Sequence, residues 1–238
     1  MPRIARAVLP GFPYHVTHRG NRRTLVFHDD VERRRYLEIF LEVQPEAALR
    51  VWAYCLMPNH VHWVLVPDRS DSMAEGIGRV HRRYAAWLNH RHGWKGHLWA
   101  HRYFSTALDD RHLWFAARYV ELNPVRAGML RNPLDYPWSS ARANVRGELN
   151  PLLDPIRPMV KASAEWADWL RAADPETGEI ERAIRANTLT GRPTGSAGFV
   201  RTMESALGRS LATKGRGRPP ARSLGTPLLP GLHRTERK

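Results

Sequence analysis

The chain has a single cysteine, Cys55, among 238 residues, so no disulfide framework can hold the fold together. It also lacks any run approaching the roughly 18 apolar residues of a membrane span, and Met1-Pro2-Arg3-Ile4-Ala5-Arg6 has no signal-peptide core. A cytoplasmic protein with no membrane partner is the expectation. A Gly-x-x-x-x-Gly-Lys-Ser/Thr loop is missing as well, and no nucleotide cofactor is expected. Acidic residues are scarce: 23 Asp and Glu face 37 Lys and Arg, a net charge of +14 and a pI of about 10.9. Such a surplus is the electrostatic footprint of a phosphate-bearing partner. The length suffices for one well-buried domain and an appendage.

The chemistry concentrates in Met57-Pro58-Asn59-His60-Val61-His62-Trp63-Val64-Leu65-Val66-Pro67. Successive side chains of an extended strand alternate faces, so His60 and His62 project side by side from one face and can share an ion. Two imidazoles among 12 histidines do not make a metal site alone. A third ligand is sought between Asp110 and Leu130, where Leu113, Ala116, Ala117 and Val120 recur at helical spacing after Asp109 and Asp110. Tyr119 and Asn123 then stand one turn apart on one helix face. Pro124 pushes Asn123 away from helical geometry, to a helix end or a kink.

The ordered strings MPNHVHWVLVP, RYVELNPVRAGML and DYPWSS resemble the single-tyrosine HUH transposases of insertion sequences, in particular the REP-associated tyrosine transposases, over Phe12 to Ala143. The resemblance implies that His60 and His62 bind a metal, that Asn123 is its polar third ligand and that Tyr119 is the nucleophile. Tyr14 to Arg22 match the family's first strand and turn. It further implies a 5′-phosphotyrosine intermediate and a single-stranded or hairpin DNA substrate. A tyrosine hydroxyl with an ordinary pKa near 10 is a weak nucleophile, so charge must be stabilised at the phosphate. Two imidazoles and an amide leave positions of an octahedral ion open for phosphate oxygens, which suits Mg²⁺ or Mn²⁺ better than zinc. A covalent link would conserve the phosphodiester energy, so strands can be rejoined without ATP. Tyr84 and Tyr103 read as scaffold or DNA contacts. Two other functions fit the composition: a hydrolase using the His-x-His pair on zinc, and a catalytically idle DNA-binding regulator.

Hydrophobic periodicity predicts strands at Tyr14–His18, Arg50–Met57, His60–Val66 and Tyr103–Leu108, with helices at Val31–Val43 and Ser72–Asn89. This β-α-β-β-α-β order, with the tyrosine helix added, predicts an α+β ferredoxin-like sandwich over residues 1–146. Bases and aromatics interleave in Arg82, Arg83, Trp94, Trp99 and Arg102, and Arg19, Asn21 and Arg22 form a second basic turn. These are candidate contacts to single-stranded DNA, cations following phosphates and indoles stacking on bases. Trp87 reads as core.

Residues 147–212 read as a proline-bearing linker and three short amphipathic helices, anchored by Trp166, Trp169 and Leu170, by Ile180 and Ile184, and by Phe199, Met203 and Leu207. A helix-turn-helix-like module is one reading and docking on the catalytic domain the other. From Gly191 to Lys238 there are ten Lys and Arg against two Asp and Glu. Residues 213–238 read as a flexible basic tail in which Arg216 and Arg218, within Arg-Gly-Arg-Pro, match an AT-hook core that enters a narrow minor groove. Monomer and homodimer both remain open.

Overall fold

Four stretches rich in β-branched and aromatic residues pair into one antiparallel sheet. They are β1 (Tyr14–Arg19), β2 (Leu49–Met57), β3 (His60–Pro67) and β4 (Phe104–Ala107), in the order β2-β3-β1-β4. The structure, a computed structural model, describes residues 8–161, 163–172 and 175–211. Pro58 and Asn59 close the β2–β3 hairpin, which pairs Met57 with His60 and Cys55 with His62. With α1 (Asp30–Val43) and α2 (Ser72–His92) between the strands, this is the expected ferredoxin-like order. Each strand lies within two residues of its sequence-based position.

Period-two alternation gives the sheet two apolar faces. On one, Tyr14, Val16, Trp63 and Leu65 meet Tyr36, Ile39, Phe40, Ile77 and Tyr84 of α1 and α2, with Phe40 stacked on Trp63 at 4.1 Å between ring centroids. Close approach explains Gly76 on α2: a Cβ there would lie 2.4 Å from Leu49 Cδ1. On the opposite face, Ala53, Cys55 and Val64 meet α3 (Asp110–Glu121) through Leu113, Ala116, Ala117 and Val120. Helices therefore cover both faces, and His60 and His62 share the α3 side with Val64.

The tyrosine helix does not run unbroken to Leu130. Leu122 ends α3 and begins α4 (Asn123–Arg126). Pro124 has no N–H to donate to the Val120 carbonyl one turn back, and the Asn123 side chain donates Nδ2–H to the Tyr119 carbonyl at 2.9 Å.

Residues beyond Arg146 fold back onto the same body. The Asp154 N–H donates to the Val51 carbonyl at 2.8 Å, so the proline-bearing stretch runs along β2. Helices α5 (Ala141–Arg146), α6 (Pro158–Lys161) and α7 (Ser163–Arg171) pack together, whereas α8 (Thr177–Thr190) lies on α3, β4 and β1. Helix α9 (Ala197–Leu207) sets Phe199 against Phe12 at 5.8 Å. Helices α7, α8 and α9 bury Trp166 and Leu170, Ile180 and Ile184, and Met203 respectively. The tail with Arg216 and Arg218 lies outside the described residues.

Glu121 joins these layers. Its fully buried carboxylate accepts from Ser140 Oγ (2.5 Å), Asn144 Nδ2 (2.6 Å) and Trp166 Nε1 (2.8 Å). Burial pushes its pKa above the usual range, against the pull of those donors. Glu121→Leu strands three buried donors and is expected to destabilise the fold by about 3–5 kcal/mol. Urea unfolding checks this, and a change under about 1 kcal/mol would contradict it.

Candidate active site

His60, His62, Tyr119 and Asn123 lie on the α3 side of the sheet. The His60 and His62 rings are 4.8 Å apart between centroids, and the Tyr119 ring meets His62 edge-on at 5.5 Å. Asn123 follows at the break between α3 and α4, its amide nitrogen tied to the Tyr119 carbonyl. Tyr119, Asn123 and His62 are buried to within 9% exposure, and His60 is half-buried. The competing tyrosines belong to the other side. Tyr84 donates its hydroxyl to the Val26 carbonyl at 2.6 Å, and Tyr103 sits in the α1–α2 core.

The donor set fits a divalent ion. His60 Nδ1 bonds the Asn59 amide oxygen at 2.6 Å, so Nδ1 carries the proton and Nε2 keeps its lone pair. His62 Nδ1 is engaged by His15 Nε2 at 3.0 Å, which again leaves Nε2 to bind. With the Asn123 nitrogen used, its oxygen is the atom left to offer. Burial lowers the His60 pKa to about 4, with help from Arg19 opposite it in the sheet, and holds His62 well below the usual range. Both rings are therefore neutral at physiological pH, the form that ligates.

Four groups around the tyrosine escaped the sequence reading. His15 on β1 contacts both His62 and Tyr119, Arg126 places its guanidinium 4.9 Å from the Tyr119 ring centroid, and Glu181 on α8 pairs with Arg126. Arg185 of α8 adds a second positive charge. Burial raises the Tyr119 pKa and Glu181 adds to the rise, while Arg185 and Arg126 oppose it. Arg126, seven residues after Tyr119, was within reach of helical periodicity. The α8 residues had no local signal.

Neutral burial makes a pH prediction. Burial lowers His15 to about 3 and His62 well below 6.5, whereas unfolding lets them take up protons near 6.5. The unfolded state then binds more protons, so stability is full above pH 7 and lost as pH falls. The expected loss is about 1.4 kcal/mol per buried histidine for each pH unit below about 6.5. Melting of the metal-free protein at pH 7.5 and 5.5 checks the sign, and an unchanged Tm would contradict it.

Another group of donors lies on the α1–α2 side: His28, Glu32 and His92, with ligand atoms within 4.8 Å of one another. Glu32 is fully buried there, and its oxygens already accept from the His28 N–H (2.6 Å), His28 Nδ1 (3.0 Å) and His92 Nε2 (2.6 Å). Arg91 lies 3.8 Å away. A carboxylate so surrounded by donors is satisfied without an ion, though metal titrations need His92→Gln as a control.

The candidate DNA contacts divide. Arg19, Asn21, Arg22, Arg82 and Arg102 are exposed, and Arg19 sits opposite His60 at the site's edge. Arg83 is exposed but ion-paired to Glu42. Trp94 is 46% exposed and stacks on His92 at 4.2 Å. Trp99 faces inward instead: its ring stacks on His81 (4.3 Å) and His18 (4.8 Å), and its Nε1–H donates to the His81 carbonyl. Trp87 packs against the core as expected. Among the described residues no helix is long and apolar enough to cross a membrane.

Comparison with known proteins gives one family, described as transposase IS200-like, which matches residues 9–123. A REP-associated tyrosine transposase of Escherichia coli K12 is 23% identical over 134 residues, 56% of this chain and 77% of the relative. A Haemophilus influenzae relative named after the same group is 26% identical over 110 residues, 42% of this chain and 62% of the relative. Among solved structures, a REP-associated tyrosine transposase bound to a REP hairpin superposes with a TM-score of 0.51 at 20% identity, covering 65% of this chain and 92% of that one. The last likeness concerns the fold.

Proposed function

Over residues 9–123 the chain belongs to the IS200-like transposase family, and on that premise we propose that it cuts and rejoins single-stranded, hairpin-forming DNA through a 5′-phosphotyrosine on Tyr119. The observation that carries the proposal is the convergence of Tyr119, His60 and His62 on one face of the sheet, with Asn123 bonded to the Tyr119 carbonyl. In the step proposed, the Tyr119 oxygen bonds to phosphorus as the bond to the 3′-oxygen breaks. The phenol proton leaves to solvent, and the departing 3′-oxygen takes one up. Arg126 and Arg185 ease loss of the phenolic proton. His60, His62 and Asn123 would hold Mg²⁺ or Mn²⁺, which when bound supplies Lewis-acid stabilisation of the phosphate charge. A second 3′-hydroxyl attacking the same phosphorus reverses the step and joins strands.

Arg19 at the site's edge and exposed Arg22, Arg82 and Arg102 would track the backbone, with Trp94 as a stacking surface. The basic segment 213–238 we assign to further phosphate contacts. Affinity for a hairpin should therefore fall steeply with salt, log K dropping against log salt by about 0.7 per phosphate neutralised on single strands. Fluorescence anisotropy from 50 to 300 mM KCl, a range over which the screening length shortens about 2.4-fold, checks this. A flat response would remove the electrostatic argument. The test of the reaction itself is a denaturation-resistant adduct formed from labelled hairpin DNA and Mn²⁺.

A further inference from the structure

A chain of three hydrogen bonds joins the candidate metal ligand His62 to the C-terminal helix α8. His62 Nδ1 meets His15 Nε2 at 3.0 Å, His15 Nδ1 meets Thr188 Oγ1 at 2.8 Å, and Thr188 Oγ1–H donates to the Ile184 carbonyl at 2.6 Å. His15, His62, Thr188 and Ile184 are all buried, so water does not supply alternative partners.

The proton positions follow from the far end. A carbonyl oxygen only accepts, so the single hydroxyl proton of Thr188 is spent on Ile184. Thr188 can then only accept from His15, which places the His15 proton on Nδ1. With one ring proton committed there, His15 Nε2 is an acceptor and His62 must donate Nδ1–H to it. The lone pair of His62 is left on Nε2. Every link is fixed by the one before it, and the starting point is the turn of α8 that ends at Thr188.

From this order of donors we infer that His15 and Thr188 are positioning residues for metal binding, holding His62 in the tautomer and orientation that present Nε2 to the ion. The inference rests on the reading that His60 and His62 hold a metal. Partners of this kind fix the ring and raise ligand basicity, and their loss typically costs about 10- to 100-fold in metal affinity. Helix α8 lies beyond residues 9–123, the span that matches the family. The C-terminal region thereby contributes to the catalytic half of the chain through Thr188, a role distinct from any DNA contact by the tail.

The experiment uses the full chain carrying His92→Gln, so that the His28–Glu32–His92 group does not compete for metal. Mn²⁺ alone is titrated and free Mn²⁺ is read by electron paramagnetic resonance, for this background and with Thr188→Val, Thr188→Ser or His62→Ala added. Thr188→Val, which removes the hydroxyl at nearly constant shape, is expected to weaken Mn²⁺ binding about 10-fold. Thr188→Ser, which keeps the hydroxyl, should stay within about 2-fold of the background. Nitrogen-detected histidine spectra of the metal-free protein should show His62 protonated on Nδ1, a readout that needs no substitution at position 188. Unchanged Mn²⁺ affinity in Thr188→Val, with His62→Ala losing it, would overturn the positioning role and leave the metal site standing. Protonation of His62 on Nε2 would overturn the role as well. Full Mn²⁺ binding by His62→Ala would overturn the metal reading beneath it, and the relay with it.

Discussion

Tyr119→Phe is expected to reduce strand cleavage by on the order of 10³-fold or more while hairpin affinity stays within about 2-fold. The substitution removes one oxygen and keeps the ring, so the edge-on contacts to His15 and His62 and the Arg126 guanidinium survive. Tyr136, in the same cluster as Tyr119, has its hydroxyl committed to the Leu56 carbonyl at 2.6 Å. Tyr84 and Tyr103 lie in the core on the other side of the sheet, and Tyr84 has its hydroxyl committed to a backbone carbonyl. A zinc hydrolase acting through the His-x-His pair would keep its turnover in Tyr119→Phe, so the same variant separates the two chemistries. Gel-based cleavage and anisotropy on one hairpin read both quantities together.

His62→Ala is the second large effect. His62 is buried, neutral and hydrogen-bonded to a third imidazole, and His60 lies beside it with its Nδ1 proton committed to Asn59. In the proposed step, removing either ring would take away one of two nitrogen donors to the ion and weaken the support for the phosphate charge. Cleavage should fall by about 10²-fold or more in either variant, with hairpin binding retained. Excess Mn²⁺ should partly restore His60→Ala, which keeps the more deeply seated ligand, and fail to restore the double variant. Equal cleavage by wild type and the double variant, with or without chelator, would remove the metal from the mechanism.

The sheet, its two α1–α2 helices and the histidine pair were legible because their signals are local. Alternation in Val61 to Val66 reads as a strand, and the same alternation places His60 with His62. Tyr119 and Asn123 were readable from helical spacing, and Pro124 correctly marked a break, although its exact place at Leu122 depends on the Asn123 side chain taking the Tyr119 carbonyl. The partner of His62 was not readable. His15 reaches it only because β1 pairs with β3 in the register that sets Thr17 opposite His62 and His15 opposite Val64, and no local pattern carries inter-strand register. Thr188 and Glu181 are 69 and 62 positions after Tyr119 in the chain, brought there by α8 packing on α3 and β1. Trp99 misled for a similar reason. A tryptophan in a glycine-bearing loop reads as exposed, but His18 and His81 supply a ring stack and a carbonyl that draw it inward.

The most direct measurement is mass spectrometry of the adduct formed when the full chain meets hairpin DNA and Mn²⁺, digested by protease and nuclease to a nucleotide-bearing peptide. The account predicts a single modified peptide containing Tyr119, bearing the nucleotide through its 5′-phosphate, and no adduct once the metal is chelated. Modification at another residue, linkage through a 3′-phosphate, or tight hairpin binding that never yields an adduct would contradict it.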